Sequence, residues 1–314
     1  MSDATKSYLL HGGVIAALFA VQFVLPAYHH GNLARIMVLA SYAMGYNILF
    51  GYTGLLSLGH AMFFAAGMYG MGLAIQHLGF SPAPALIAGI ASALALATIV
   101  GLLALRTVGV AFMIVTLMFA QAVYLTILYF GRYTRGDEGF VIQQADRILA
   151  GIDLSNPVNR YFAALLLMAT CLAITLALVQ SPFGRVLIAI RENEDRATML
   201  GYDVFRYKLI AVILSGTLSG LAGASYGLLF GYVGASFATV QYSIFPLLWV
   251  LLGGAGTLLG PLVGAAFMFY LIDLASGLTS AYMLIAGVTL VLVTLFFRAG
   301  LVGEIRKRFA PWLP

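Results

Sequence analysis

Charge is what this chain has least of. Only 27 of its 314 residues are Lys, Arg, Asp or Glu, and 9% charged is far below the roughly 25% of a soluble domain. Hydrophobic residues make up 62% and mean hydropathy is +1.00. A soluble protein of this length could not hide that much apolar surface, so the composition excludes the soluble classes. The apolar stretches are continuous and roughly 18–25 residues long, enough for a helix to cross a bilayer. That excludes a transmembrane barrel, whose strands read as alternating segments of about ten residues. Cysteine is nearly absent too: Cys171 stands alone in an apolar run, so no intrachain disulfide and no multi-cysteine metal site can form, and a small packed thiol is expected. The only lysines are Lys6, Lys208 and Lys307. None follows the glycines of a G-x-x-x-x-G-K-[ST] loop, which excludes a nucleotide site of that type. No His/Cys/carboxylate group has metal-ligand spacing and no nucleophile motif is present. The chain is therefore read as no enzyme, with no catalytic residue, no metal and no cofactor of its own.

What is present is a series of spans. Candidate helices cover 8–27, 33–50, 55–76, 83–105, 108–130, 160–180, 208–230 and 280–297, with a Gly-rich region at 236–275. The first run follows Lys6 and is too long for a signal-peptide core, so it reads as an uncleaved helix. Ser81-Pro82 suits a helix start. With the N-terminus inside, eleven basic residues fall inside: Lys6, Arg106, the five between 181 and 208, Arg298, Arg306, Lys307 and Arg308. Five fall outside: Arg35, Arg132, Arg135, Arg147 and Arg160. This agrees with the positive-inside rule, and the net charge of +5 therefore reports orientation rather than nucleic-acid binding. The solution requires an even number of crossings between Phe230 and Thr279. Gly253-Gly254-Ala255-Gly256-Thr257 supplies a break between limbs of about 236–252 and 258–275. Both limbs cross, or they form a re-entrant hairpin. The fold class is all-α: a polytopic transmembrane helical bundle of about ten membrane segments, N-in and C-in, a single domain over 1–314. Gly216, Gly220, Gly223, Gly227 and Gly231, and again Gly256, Gly260 and Gly264, form small-residue stripes that admit a close neighbour.

Ionisable groups are missing from the span interiors. This weakens proton or ion coupling, although sodium sites built from backbone carbonyls would leave no such trace. His60 is the exception, near the start of its segment. Asn47, Ser57, Gln76, Thr116 and Gln121 are polar and uncharged inside spans. They either bond between helices or line a neutral path for a small polar solute; Asn47, Ser57, His60, Thr116 and Gln121 are the candidates for that path.

The scarce charge is concentrated. Nine of the 27 charged residues lie in Ser181–Lys208, between two long uncharged apolar runs. Val186, Ile190, Ala197 and Leu200 share one helical face, and Gly201 stands where a helix would end. The segment reads as a short amphipathic helix on the inner side, either lying on the membrane surface or docking into another protein. Its mixed charge is unlike the strongly basic face of a plain lipid-adsorbing helix.

Four blocks resemble one family. YNILFGYTGLLSLGHAMFFAAGMYG (46–70), RTVGVAFMIVTLMFAQ (106–121), SPFGRVLIAIRENEDRATMLGYDVFRYKL (181–209) and LGGAGTLLGPLVGA (252–265) are similar to the LivM-type permease of branched-chain amino acid ABC importers. The likeness runs in order from about residue 35 to 300. It implies a multi-pass permease subunit of a bacterial inner (plasma) membrane importer working by alternating access. The implied partners are a homologous LivH-type permease, LivG- and LivF-type ATPases that bind ATP-Mg, a periplasmic substrate-binding protein and membrane lipid. Loop 131–159 would be periplasmic and 181–208 the cytoplasmic coupling-helix loop, with Arg191, Glu192, Asn193, Glu194, Arg196, Ala197 and Gly201 as its ATPase-coupling residues. Ala197 and Gly201 match the Ala and Gly of the family's EAA-type loop, whereas Asp195-Arg196 departs from the fuller pattern. Urea and amide permeases share the first block, including Gly54, Ser57, Gly59 and His60, so a urea/amide cargo is one alternative. An autonomous channel or ion-coupled carrier is another.

Overall fold

The computed structural model describes residues 3–297 and 299–309, so Arg298, counted above on the inner side, lies outside the described residues. Helix α1 (Asp3–Val21) is followed by α2 (Ala27–Asn47), which continues as a π turn over Ile48–Tyr52. Then come α3 (Ala61–Leu78), α4 (Pro82–Ala104), α5 (Val110–Tyr129) and the single turn α6 (Gly131–Thr134). After the 135–156 loop, α7 (Pro157–Gln180), α8 (Pro182–Glu192), α9 (Glu194–Met199) and α10 (Val204–Phe230) follow. The chain ends with α11 (Val240–Gly253), α12 (Gly260–Leu278), α13 (Tyr282–Phe296) and α14 (Leu301–Phe309). Among the described residues, six helices are long and apolar enough to cross a membrane: α2 with its π turn, α4, α5, α7, α10 and α12. Shorter apolar helices lie within α1, α11 and α13. Ser81 stands at the N-cap of α4 with Pro82 in its first turn, but its hydroxyl makes no cap bond.

Helix α2 is the axis of the bundle. Tyr42, Tyr46, Met37 and Met44 on it are fully buried, whereas α5 is apolar all round and leaves Ile114, Met118 and Leu125 uncovered, as a lipid-facing helix must. Helices α3, α4 and α10 approach more closely than side chains would allow. A Cβ on Gly67 would run into the Gly220 carbonyl, one on Gly223 into the Phe64 carbonyl, and one on Gly220 into Ala93. This is what the glycine stripe of α10 is for. Gly231 is not part of it; it ends the helix in a left-handed conformation (φ 71°).

The basic residues collect at two opposite ends. At one, the Tyr8 hydroxyl at the start of α1 donates to Gln180 at the end of α7 (2.7 Å), beside the 181–208 segment. At the other, Arg147 donates to the Leu228 carbonyl (2.8 Å) and to that of Leu229, the last turn of α10, where a cation complements the helix dipole. Arg35 and Arg160 flank Phe230 at the same end, 5.3 and 5.6 Å from its ring centre. The 135–156 loop is pinned there as well: β1 (Phe140–Val141) pairs antiparallel with Tyr232–Val233. Between them, β2 (Ile148–Leu149) and β3 (Ile152–Asp153) form a hairpin turning at Ala150-Gly151, both with positive φ.

Two spans are broken. The expected helix 55–76 begins six residues late, at Ala61, because Thr53–His60 runs as irregular backbone from the 181–208 end into the bundle. Helix α11 likewise starts late, after β4 (Tyr232–Val233) and a 3-10 turn at Ala235–Ala238. Pro246 inside α11 cannot donate to the Tyr242 carbonyl. The Tyr42 hydroxyl lies 3.4 Å from that oxygen in its stead.

Candidate functional site

The irregular segment Thr53–His60 ends between the middle of α10 and the first turns of α11, and polar side chains gather there. The backbone N–H of Ala61, an unsatisfied donor at the start of α3, bonds to Ser243 Oγ of α11 (2.9 Å). His60 Nε2 lies 2.8 Å from Ser215 Oγ on α10, and that hydroxyl donates to the Gly45 carbonyl at 2.5 Å. A hydroxyl has one proton, so His60 Nε2 must carry the N–H and Nδ1 is an acceptor. Among the described residues Nδ1 has no partner, nor has the buried Ser219 Oγ one turn along α10. Thr116 of α5 accepts from the Leu58 N–H (3.2 Å), Ser57 Oγ accepts from Gly59 N–H (3.2 Å), and the Ser57 carbonyl accepts from the Tyr46 hydroxyl (3.1 Å).

A second junction lies nearer the 181–208 end. Asn47 Oδ1 accepts from the Gly256 N–H (3.0 Å) and its Nδ2 donates to the Thr257 carbonyl (2.9 Å). One side chain thus ties the π turn of α2 to the break between α11 and α12. A Cβ on Gly51 would collide with both Asn47 and the Gly256 nitrogen, so only glycine permits the contact. Two cations close this junction. Arg191 Nη1, at the end of α8, donates to the Gly51 carbonyl. Arg306 Nη1, on α14, donates to the Gly256 carbonyl (3.2 Å).

The 181–208 segment is two helices rather than one. Asn193 adopts an extended conformation, and its Oδ1 accepts from the Arg196 N–H (2.9 Å), capping α9. Glu194 and Asp195 follow in the first turn, where the dipole favours acids. Val186, Ile190 and Ala197 are buried with Val204 in a small core of their own, which the sequence periodicity anticipates. Leu200 is a correction: expected on that buried face, it is 75% exposed, because the break at Asn193 restarts the helical register. With Met199 (85% exposed), Tyr202 and Phe205 it forms an uncovered apolar patch. Gly201 ends α9 at φ 87°. Lys208 Nζ is 2.5 Å from Glu194 Oε2 and ties α9 to α10.

Of the coupling candidates, Arg191, Glu192, Asn193, Glu194, Arg196 and Gly201 are exposed and Ala197 is buried as packing; Arg191 alone also reaches inward, to Gly51. A cleft of about 630 Å³ separates Arg191–Glu194 from the α4–α5 turn at Leu105–Val110. Of the path candidates, Asn47, Ser57, His60 and Thr116 are at most 2% exposed and each is already hydrogen-bonded, Asn47 to Gly256 and Thr257, Ser57 to Gly59, His60 to Ser215 and Thr116 to Leu58. Gln121 is half-buried and apart from them, and Gln76 is exposed at the end of α3. Sequence reasoning missed Ser215, Ser243 and Gly51. Their signal was weak, because serine and glycine are ordinary inside membrane helices. At the opposite end, near Arg147, Asp153 accepts from Ser155 Oγ (2.6 Å) and N–H (2.8 Å). Those bonds, the Ser155 hydroxyl first, hold its carboxyl below the usual range.

Residues 30–294 match the family model of the branched-chain amino acid transport system permease component. The chain belongs to that permease family. Among the curated relatives of this permease, the high-affinity branched-chain amino acid transport system permease protein LivM of Salmonella typhimurium is 29% identical over 296 residues. The aligned region covers 87% of this permease and 69% of the relative. LivM of Escherichia coli K12 matches to the same extent. The autoinducer 2 import system permease protein LsrC of Klebsiella pneumoniae is 34% identical over 108 residues, 33% of this chain and 31% of the relative. No solved structure matches. The permease is a multi-pass membrane protein and a subunit of an ABC importer, a multi-component system.

Proposed function

We propose that this permease imports branched-chain amino acids or a closely related small solute by alternating access, driven by ATP that separate ATPase subunits bind with magnesium and hydrolyse. LivM relatives support the cargo; LsrC-type relatives, named for autoinducer 2 import, mark how far cargo varies on this scaffold. A LivH-type permease completes the pore and a periplasmic binding protein delivers the solute. The chain needs no cofactor of its own. It sits in the bacterial inner membrane with ten segments, α1, α2, α3, α4, α5, α7, α10, α11, α12 and α13, N-in and C-in. The two limbs α11 and α12 both cross, since their break lies beside Arg191 and Arg306 at the inner end. The 131–159 loop is periplasmic.

The observation that carries the mechanism is the bond from Arg191 to the Gly51 carbonyl. The exposed side of 181–208, with Glu192, Asn193, Glu194, Arg196 and the Met199–Phe205 patch, docks on an ATPase. Ala197 and Gly201 give that surface its shape. When the ATPases close, α8 moves and Arg191 carries the motion to the junction of the two broken spans. ATP shifts the equilibrium only by binding one conformation better than the other. Opening the junction exposes Asn47, Ser57, His60 and Thr116 to the path, with Gln121 beside it. The unpartnered His60 Nδ1 and Ser219 Oγ then bond to the passing solute or to water.

The test is the double substitution Met199→Asp with Leu200→Asp in the reconstituted complex. A charge in a docking contact removes hot-spot burial worth about 2 kcal/mol or more, so uptake should fall more than tenfold while the chain stays folded. Uptake and ATPase co-purification at wild-type levels would overturn the docking role. Solute flux through the lone chain in liposomes, without ATPases, would instead favour the autonomous carrier.

A further inference from the structure

Behind the Gly51–Gly256 junction lies a cleft of about 660 Å³ that the transport reading does not use. It is lined by Arg191 of α8, by Leu251, Ala255 and Thr257 at the break, and by Ala299, Gly303, Arg306 and Lys307 at the start of and along α14. Among the described residues, three cations line it and no carboxylate does. Glu304, the acid of α14, is bound to Arg308 (2.8 Å). Glu192 and Glu194 line the neighbouring cleft, with Lys208, and Arg191 borders both clefts. Each arginine spends a donor on a glycine carbonyl, which holds the guanidinium in place while its remaining N–H groups are free to serve an anion. Gathering three like charges in one concavity is unfavourable unless an anion offsets it.

We propose that this cleft binds the phosphate of an anionic phospholipid, with Arg191, Arg306 and Lys307 as donors. The choice of a lipid rests on α14. Its Ile305 and Phe309, four residues apart, are 55% and 80% exposed beside Arg306, Lys307 and Arg308. An apolar stripe flanked by cations on a short helix lies in a bilayer interface, and such basic clusters select anionic headgroups. The headgroup then pins α8 and α14 to the same two glycine carbonyls, so lipid composition sets how tightly the junction is held. That the leaflet is cytoplasmic rests on the orientation proposed above; binding itself does not.

Native mass spectrometry of the purified full chain, with equal amounts of phosphatidylglycerol and phosphatidylcholine of identical acyl chains, tests this. The expected result is selective retention of phosphatidylglycerol. Lys307→Gln should lower that preference about fivefold, the share of one basic residue near an anionic surface, and Lys307→Arg should keep it. Adding Arg306→Gln should lower it further. Equal retention of both lipids by the wild type, or a preference that Lys307→Gln leaves unchanged, overturns the proposal. Loss of the retained lipid to millimolar inorganic phosphate would make the ligand free phosphate instead. If lipid preference is absent but Lys307→Gln releases the ATPase from the complex, the cleft docks an acidic protein surface and the lipid reading fails. Lipid retention is read without transport, so failure here leaves the transport reading standing, and the reverse.

Discussion

Asn47 shows how much one side chain can hold when the backbone around it is irregular. Its amide satisfies both a donor and an acceptor of the glycine break, at Gly256 and Thr257, in a place where water cannot. Asn47→Ala leaves two buried backbone groups unpaired, each costing about 1–3 kcal/mol. Thermal unfolding in detergent should register a loss of about 2–4 kcal/mol; a loss under about 0.5 kcal/mol would mean that the junction is already open to water. Asn47 was legible as a polar residue inside a span, but its partners were not. They are backbone atoms more than two hundred residues away, and no side-chain pattern advertises a carbonyl. Arg191 was half legible for a related reason: it is exposed in the polar segment, as a surface contact requires, but its length also lets it reach the Gly51 carbonyl, which no sequence pattern signals.

At the scale of elements, helix ends proved harder to read than helix existence. The apolar runs locate α4, α5, α7 and α10 to within a few residues, because burial and lipid both reward continuous hydrophobicity. The late start of α3 was hidden, since Leu55, Leu56 and Leu58 look the same to hydropathy whether their backbone is helical or held by Thr116 and Leu49. The break at Asn193 had a signal, an Asn followed by Glu and Asp, that helical periodicity overrode. Close packing was more transparent, because small residues at intervals of three and four mark it. Gly220→Leu on α10 should therefore disrupt the α3–α4–α10 core: the first carbon added already falls on Ala93, and overpacking costs about 1–3 kcal/mol even where neighbours can move. Size-exclusion profiles and unfolding of that variant check this, and a wild-type profile with unchanged stability would show that α4 is free to retreat.

The whole molecule is polarised end to end. Arg35, Arg147 and Arg160 surround the last turn of α10, and Arg191, Arg306 and Lys307 surround the glycine junction. This separation was legible from charge alone, because the positive-inside rule counts residues and needs no contacts. The buried Cys171 leaves the chain nearly silent to thiol reagents, so single reporters are clean. Ser155→Cys should react with an impermeant maleimide from outside intact cells, and Thr198→Cys only after the membrane is opened. The opposite pattern would invert the orientation.

The central claim is that ATPase motion enters through α8 and reaches the broken spans through Arg191. Its most direct measurement is the ratio of solute imported to ATP hydrolysed by the reconstituted complex carrying Arg191→Gln. Glutamine keeps polarity but is too short to reach the Gly51 carbonyl. The account predicts hydrolysis and assembly near wild type with import reduced at least about tenfold, equivalent to about 1.4 kcal/mol of lost coupling. An unchanged ratio would contradict it.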